Sequence, residues 1–293
     1  MSLTLRKASL VAAALVVICL SAATTRTADA TFPGRPGVIV FNMITFQGDG
    51  REFTGGLYVI RPGQKRPRQL TKNRFDYDPS FAPSGQKLVF RRVSDSGGGI
   101  YTLNIRSGNA KRLTTVGGDL DPAFGPSGTI VFSRFVNESG YDLFLRNPNG
   151  RLRQLTSNSG RDREAVFTPD GERIVFRRDY RRVVPFTVAE GGPPEGLYSI
   201  RIDGTGLRAI KRGARPRNFD ISPDGQNFVF GSATEIYPAY SPAGSKIAYT
   251  NYEGLWIRRA DESGSPKLVL ATDYRPYEAG GALVIQPAWQ PLP

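Results

Sequence analysis

Apolar residues along this chain fall in short β-prone triplets rather than at helical spacing, and each triplet follows a Pro/Gly turn. The stretch Asp78-Pro79-Ser80-Phe81-Ala82-Pro83-Ser84-Gly85-Gln86-Lys87-Leu88-Val89-Phe90 reads strand, tight turn, strand. The phrase returns from Asp121 to Phe132, Ala165 to Phe176, Phe219 to Phe230 and Pro238 to Tyr249. Such recurrence marks an internal repeat. Pro83, Pro126 and Pro169 stand 43 residues apart, a blade-sized period. Pro169 to Pro223 is longer, at 54, and its Pro- and Gly-rich stretch Val183 to Pro194 predicts a protruding loop. Pro223 to Pro242 is only 19, too short for four strands.

Two more strand candidates follow each phrase except the fourth, where the short spacing leaves no room until the fifth. Gly56-Leu57-Tyr58-Val59-Ile60 precedes Arg68-Gln69-Leu70-Thr71, and Gly99-Ile100-Tyr101-Thr102-Leu103 precedes Lys111-Arg112-Leu113-Thr114. Four short strands per unit is the make-up of a propeller blade. Val38-Ile39-Val40-Phe41 is the second half of the phrase without the first, and Gln286 to Pro291 is the first half without the second. A blade shared by the two would close the ring and remove its free edges. The expected fold is an all-β, six-bladed β-propeller with one reduced blade near Asn218 to Glu235. The alternative is five blades, with that piece absorbed as loop.

The motif Pro-x-(Phe/Tyr/Trp)-x-Pro-x-Gly, then Ile-Val-Phe, Gly-Leu-Tyr and Arg-x-Leu-Thr, resembles the TolB-type propeller repeat and, more distantly, WD-type repeats. The likeness covers nearly all of Gly37 to Pro293. It implies a rigid ring that binds proteins at the cell envelope, lipoproteins among them, without catalysis of its own. TolB proper carries an α/β domain ahead of its propeller, for which this sequence leaves no room. Peptidases of the prolyl-oligopeptidase group have similar propellers, but the hydrolase domain that accompanies them is not seen here.

Residues 1–30 change the picture of where the chain works. Arg6 and Lys7 precede an uncharged apolar run, Ser9 to Ala23, and Ala28-Asp29-Ala30 has the small-x-small form of a cleavage site. They read as an export signal, 31–36 as a linker and 37–293 as the propeller. The run is short for a membrane span. Its retention as an anchor, or lipidation at Cys19, stays open. The expected location is periplasmic or extracellular, as a monomer with no integral span after cleavage. Cys19 is the single cysteine, so no disulfide is expected.

The chain has 39 Lys and Arg against 26 Asp and Glu, and no histidine. The absence of histidine excludes Ser-His-Asp catalysis and histidine-based metal sites. No cofactor is expected. Calcium, which binds oxygen ligands, is the one that the composition leaves open. Export argues against nucleic acid as partner despite the basic balance.

Candidate chemistry gathers where each innermost strand begins. Asp76 and Asp78, Asp119 and Asp121, Asp162 and Glu164, Asp220 and Glu235 form a near-ring of acids at one channel mouth. Such a ring suits a cation or a basic peptide terminus. Arg91, Arg92, Arg134, Arg177 and Arg178 end the returning strands at the same face, and Arg181 and Arg182 extend a basic rim. Counting residues across the hairpin turn sets Asp78 opposite Arg91 or Arg92, Asp121 opposite Ser133 or Arg134, and Glu164 opposite Arg177 or Arg178. Such cross-strand pairs steady a hairpin. Phe81, Phe124, Phe167, Tyr240 and Trp289 recur at one position and are expected in the core between blades. The leading functional reading is a non-enzymatic envelope scaffold that binds a protein or peptide. A calcium-dependent lactonase- or lyase-like enzyme is the alternative.

Overall fold

The computed structural model describes residues 33–47, 52–94, 98–137, 140–158, 160–179, 194–213, 218–273 and 281–292. The expected export signal, Arg181, Arg182 and the expected Val183–Pro194 loop up to residue 193 lie outside them. Among the described residues all regular structure is β.

The strands follow the repeat. β1 (Arg35–Gln47), β2 (Glu52–Ile60) and β3 (Arg68–Gln69) open the first sheet. β4 (Asp76–Phe81), β5 (Lys87–Arg92), β6 (Gly99–Asn104) and β7 (Ala110–Arg112) make the second. β8 (Asp119–Phe124), β9 (Ile130–Asn137), β10 (Gly140–Arg146) and β11 (Leu152–Gln154) make the third. β12 (Arg161–Phe167), β13 (Arg173–Asp179), β14 (Gly196–Arg201) and β15 (Arg208–Arg212) make the fourth. The fifth has only β16 (Phe219–Ile221) and β17 (Phe228–Phe230). β18 (Ile236–Tyr240), β19 (Lys246–Asn251), β20 (Gly254–Arg259) and β21 (Lys267–Ala271) make the sixth. The last strand, β22 (Ala282–Leu292), pairs with β1 and completes the first sheet.

The circle closes as the split phrase predicts. Ile39 lies opposite Trp289, Val40 opposite Ala288 and Arg35 opposite Leu292. β1 therefore begins two residues inside the expected linker. Each pair of neighbouring sheets encloses its own apolar cluster, and the cluster of Ile39, Phe41, Leu255, Val284 and Trp289 joins the last sheet to the first. Phe81, Phe124, Phe167, Tyr240 and Trp289 are all buried. Burying each of them contributes roughly 1.5–3 kcal/mol.

Two motif residues have local reasons. The Thr71, Thr114 and Thr156 hydroxyls each accept the backbone N–H of Leu57, Ile100 and Leu143 at 3.0 Å, tying the fourth strand candidate to the third. Gly56 opens its strand segment at φ 141°, and a Cβ there would stand 2.3 Å from the Thr71 carbonyl oxygen.

The hairpin register departs from simple counting. Phe81 faces Leu88 and Ser80 faces Val89, but Tyr77 faces Arg91 and Asp76 faces Arg92. Asp78 and Pro79 together oppose Phe90, a β-bulge. The same one-residue slip occurs in the third, fourth and sixth sheets and between β22 and β1. The expected pairing of Asp78, Asp121 and Glu164 with the strand-end positions is therefore corrected. The cross-strand places opposite Arg92, Arg134 and Arg178 belong to Asp76, Asp119 and Asp162.

Candidate functional site

The bulge gives the ring its chemistry. On or just before the innermost strand of each sheet one non-glycine residue takes left-handed backbone: Asp78, Asp121, Glu164, Asn218, Tyr237 and Gln286, with φ between 51° and 55°; Glu262, between β20 and β21, also does, at 60°. Such a conformation costs of order 1–3 kcal/mol for a residue with a Cβ. All six line one central channel of ≈ 390 Å³. Proline follows four of them, at Pro79, Pro122, Pro238 and Pro287. It brings no N–H to be left unpaired at the bulge.

Hydrogen bonds hold these strained residues in a head-to-tail chain. The Gln286 side-chain oxygen accepts the Asp78 N–H at 3.1 Å, and the Gln286 amide donates to the Asp78 carboxylate. The Asp78 carboxylate accepts the Asp121 N–H in turn. Asp121 accepts the Glu164 N–H at 3.2 Å, and Glu164 accepts the Asn218 N–H at 2.9 Å. Each link ties one sheet to the next. A second tier runs beside it, where Ser80 Oγ accepts the Phe124 N–H and Asp220 accepts the Tyr240 N–H.

Two residues before the bulge stand the other acids, and their surroundings differ. Asp76, Asp119 and Asp162 are fully buried, each in a bidentate pair with Arg92, Arg134 or Arg178 at 2.6–2.8 Å. Each of these arginines also lies over two rings. Arg92 contacts Phe90 and Tyr101, Arg134 contacts Phe132 and Phe144, and Arg178 contacts Phe176 and Tyr198, with centroids 4.7–5.4 Å away. The planar guanidinium satisfies carboxylate and π-face at once, which lysine could not. These three acids and three arginines are committed inside the sheets. Glu235 holds the corresponding place in the sixth sheet but pairs with Arg258 of β20 at 3.0 Å.

The remaining acids reach the channel. Asp121 pairs with Arg163 at 3.1 Å, and Glu164 with Arg177 at 3.0 Å. Arg177 also contacts Asp179. Arg91 lines the channel, and its buried Nε has no hydrogen-bond partner among the described residues. The cavity wall thus carries Asp78, Asp121, Glu164 and Asp220 against Arg91 and Arg163. Among the described residues no three acidic side chains converge as a metal site requires.

Solved structures share this architecture, although no protein-family model and no curated protein matches the sequence. TolB from Acinetobacter baumannii superposes with a TM-score of 0.67 at 20% identity, over 87% of this chain and 67% of TolB. In fold the chain resembles the TolB propeller. Hydrazine synthase from Kuenenia stuttgartiensis follows with a TM-score of 0.61 at 15% identity, over 90% of this chain and 48% of that one. A gluconolactonase from Xanthomonas campestris gives 0.52 at 13% identity, over 74% and 81%. At these identities the likeness is one of fold.

Within the TolB-like ring, Asp78 has the most perturbed environment. Burial pushes its carboxyl up to about 7, and the neighbouring Asp121 carboxylate pushes the same way. Arg91, the Asp121 N–H and Arg163 offset part of that. Protein atoms crowd Asp78, yet it keeps some contact with solvent through the channel. The Tyr237 phenol is raised by burial and then by Asp78, Glu164 and Asp121, so it shares their space.

Counting charges missed Arg163, Asn218, Tyr237 and Gln286 as channel residues. One signal marks two of them: Tyr237 and Gln286 stand immediately before the proline of their repeat phrase, as Asp78 and Asp121 do, whereas Arg163 and Asn218 carry no such mark. Arg181 and Arg182 lie outside the described residues.

Proposed function

We propose that this protein is an exported, non-enzymatic TolB-like propeller that holds a protein partner at its channel mouth, through a cationic side chain or an N-terminal amine. The two-stranded fifth sheet is read as the reduced blade of a six-bladed ring. Its place is the cell envelope or outside it. The observation that carries the reading is the division of the acids. Three are spent on buried ion pairs, while four face one small channel against two arginines. An acidic mouth on a rigid ring attracts positive charge, and its tied ring residues need no rearrangement on binding.

The test is capture from the envelope fraction of the protein's own cells. A mature chain should retain one discrete partner. The triple variant Asp78→Asn, Asp121→Asn, Glu164→Gln should lose it while melting as a folded protein. Retention of the same partner by that variant overturns the reading.

The rival, a calcium-dependent lactonase- or lyase-like enzyme, is favoured by the fold shared with gluconolactonase and by the acids in the channel. Against it stands the partnering of those acids, since Asp121 and Glu164 each hold an arginine and a backbone N–H. Calcium-dependent turnover of a lactone panel, abolished by Asp121→Asn, would establish the rival instead.

A further inference from the structure

The two-stranded sheet leaves a gap that the other sheets fill. In the second sheet, Leu88 and Phe90 of β5 face Leu103 and Tyr101 of β6. Their counterparts in β17 are Phe228 and Phe230, which face Ile221 and Phe219 of β16 as non-hydrogen-bonded pairs. The flanking bonds fix this phase, Ser222 N–H to the Asn227 carbonyl and Gly231 N–H to the Asn218 carbonyl. The backbone N–H and C=O of Phe228 and Phe230 therefore point away from β16, and no third strand takes them among the described residues. A groove of ≈ 1090 Å³ opens beside this edge, walled by Val229, Tyr240, Ile247 and Ala260. Here the apolar cluster between neighbouring sheets shrinks to Val229, Tyr240 and Ile247, with Ala260 against it.

We propose that the open edge of β17 accepts an extended segment of another protein as a third strand. The segment carries Leu or Ile, an aromatic residue, any residue, Leu or Ile, then Arg or Lys. The chain's own third strands define that chemistry. β2 and β14 read Gly-Leu-Tyr-x-Ile and are followed or ended by Arg61 and Arg201. In the fourth sheet Tyr198 faces Phe176, Ile200 faces Ile174 and Arg201 faces Arg173. On β17 the same register sets the aromatic residue opposite Phe230 and the aliphatic one opposite Phe228. The preceding leucine fills the groove, as Leu197 fills the next cluster along. The basic residue reaches the turn beside Asn227. There the groove wall holds Asp224, Asp261 and Glu262 against Arg258; Arg258 is already paired with Glu235 and Asp261 with Arg259, which leaves Asp224 and Glu262 to meet the basic residue. Main-chain bonds supply affinity, alternate side chains supply choice, and charge fixes direction.

The probe is a fluorescein-labelled peptide copying residues 196–202, Gly-Leu-Tyr-Ser-Ile-Arg-Ile, titrated into the full mature chain. Saturable binding is expected, with salt weakening it. Phe228→Pro removes an outward N–H and should weaken binding about tenfold or more. Asp224→Asn with Glu262→Gln should abolish most of the salt dependence. Amide hydrogen exchange gives an independent reading, because the Phe228 and Phe230 amides should exchange fast in the free chain and slow with peptide bound. The proposal is overturned by no saturation up to about 1 mM, by equal binding to a folded Phe228→Pro variant, by amides already protected in the free chain, or by a dimer that forms through this edge.

Discussion

Two rows of carboxylates stand two residues apart on the innermost strands, and their surroundings differ. Asp76, Asp119 and Asp162 are sealed from water and bound to arginines that are themselves clamped between rings. Asp78, Asp121 and Glu164 sit in strained bulges, touch the channel and accept N–H groups from the next sheet. The first row builds each sheet. The second joins sheet to sheet and faces whatever enters. A one-residue bulge at the second row separates structure from surface.

The largest effect should come from breaking the first row at its deepest pair. Asp162→Ala leaves Arg178, whose side chain is 3% exposed, without its carboxylate. Loss of about 3–5 kcal/mol is expected, measured by urea unfolding. Asp76→Ala and Asp119→Ala should cost less, since Arg92 and Arg134 are 21% and 16% exposed and can turn to water. If all three cost the same, burial is not what distinguishes the rows. Removing both partners, Asp162→Leu with Arg178→Met, should recover most of the loss.

The second row should show itself through pH. Asp78 titrates near 7 in the fold, against 3.8 for a free aspartate. The native state therefore keeps a proton that the unfolded chain has released. Between about pH 4 and 7 this group's contribution to stability falls as pH rises, and above that it is level. A melting series of the protein against Asp78→Asn should differ by that slope alone; parallel curves would place Asp78 in an ordinary environment. The smallest effect belongs to the second tier. Ser80→Ala removes one acceptor for the Phe124 N–H, and about 0.5–1.5 kcal/mol is expected from the same unfolding measurement.

The repeat phrase made the sheets legible, because turn residues and β-prone triplets are local signals. It also placed the closing pair, since Gln286 to Pro291 and Val38 to Phe41 are complementary halves. The reduced piece after Asn218 is visible as a spacing too short for four strands, and two strands stand there. The acid–arginine pairing is legible in kind, and Glu164 does pair with Arg177, but the partners of Arg92, Arg134 and Arg178 lie two residues earlier than simple counting places them. Simple hairpin counting assumes one residue per rung, and left-handed backbone at Asp78 or Gln286 is not announced by a glycine. The aromatic clamp around Arg92 was equally hidden, because Tyr101 reaches it from a strand that the charge count did not include. The open edge of β17 can be read only from the sheet itself, in which no third strand follows β17 among the described residues.

The seam between β1 and β22 has a mechanical consequence. Arg35 and Leu292 are rung partners at one extremity of that antiparallel ladder, so traction on the two leads through them peels it rung by rung rather than shearing it as a block. Drawn by both leads, the circle would part first at the very place that sews it shut.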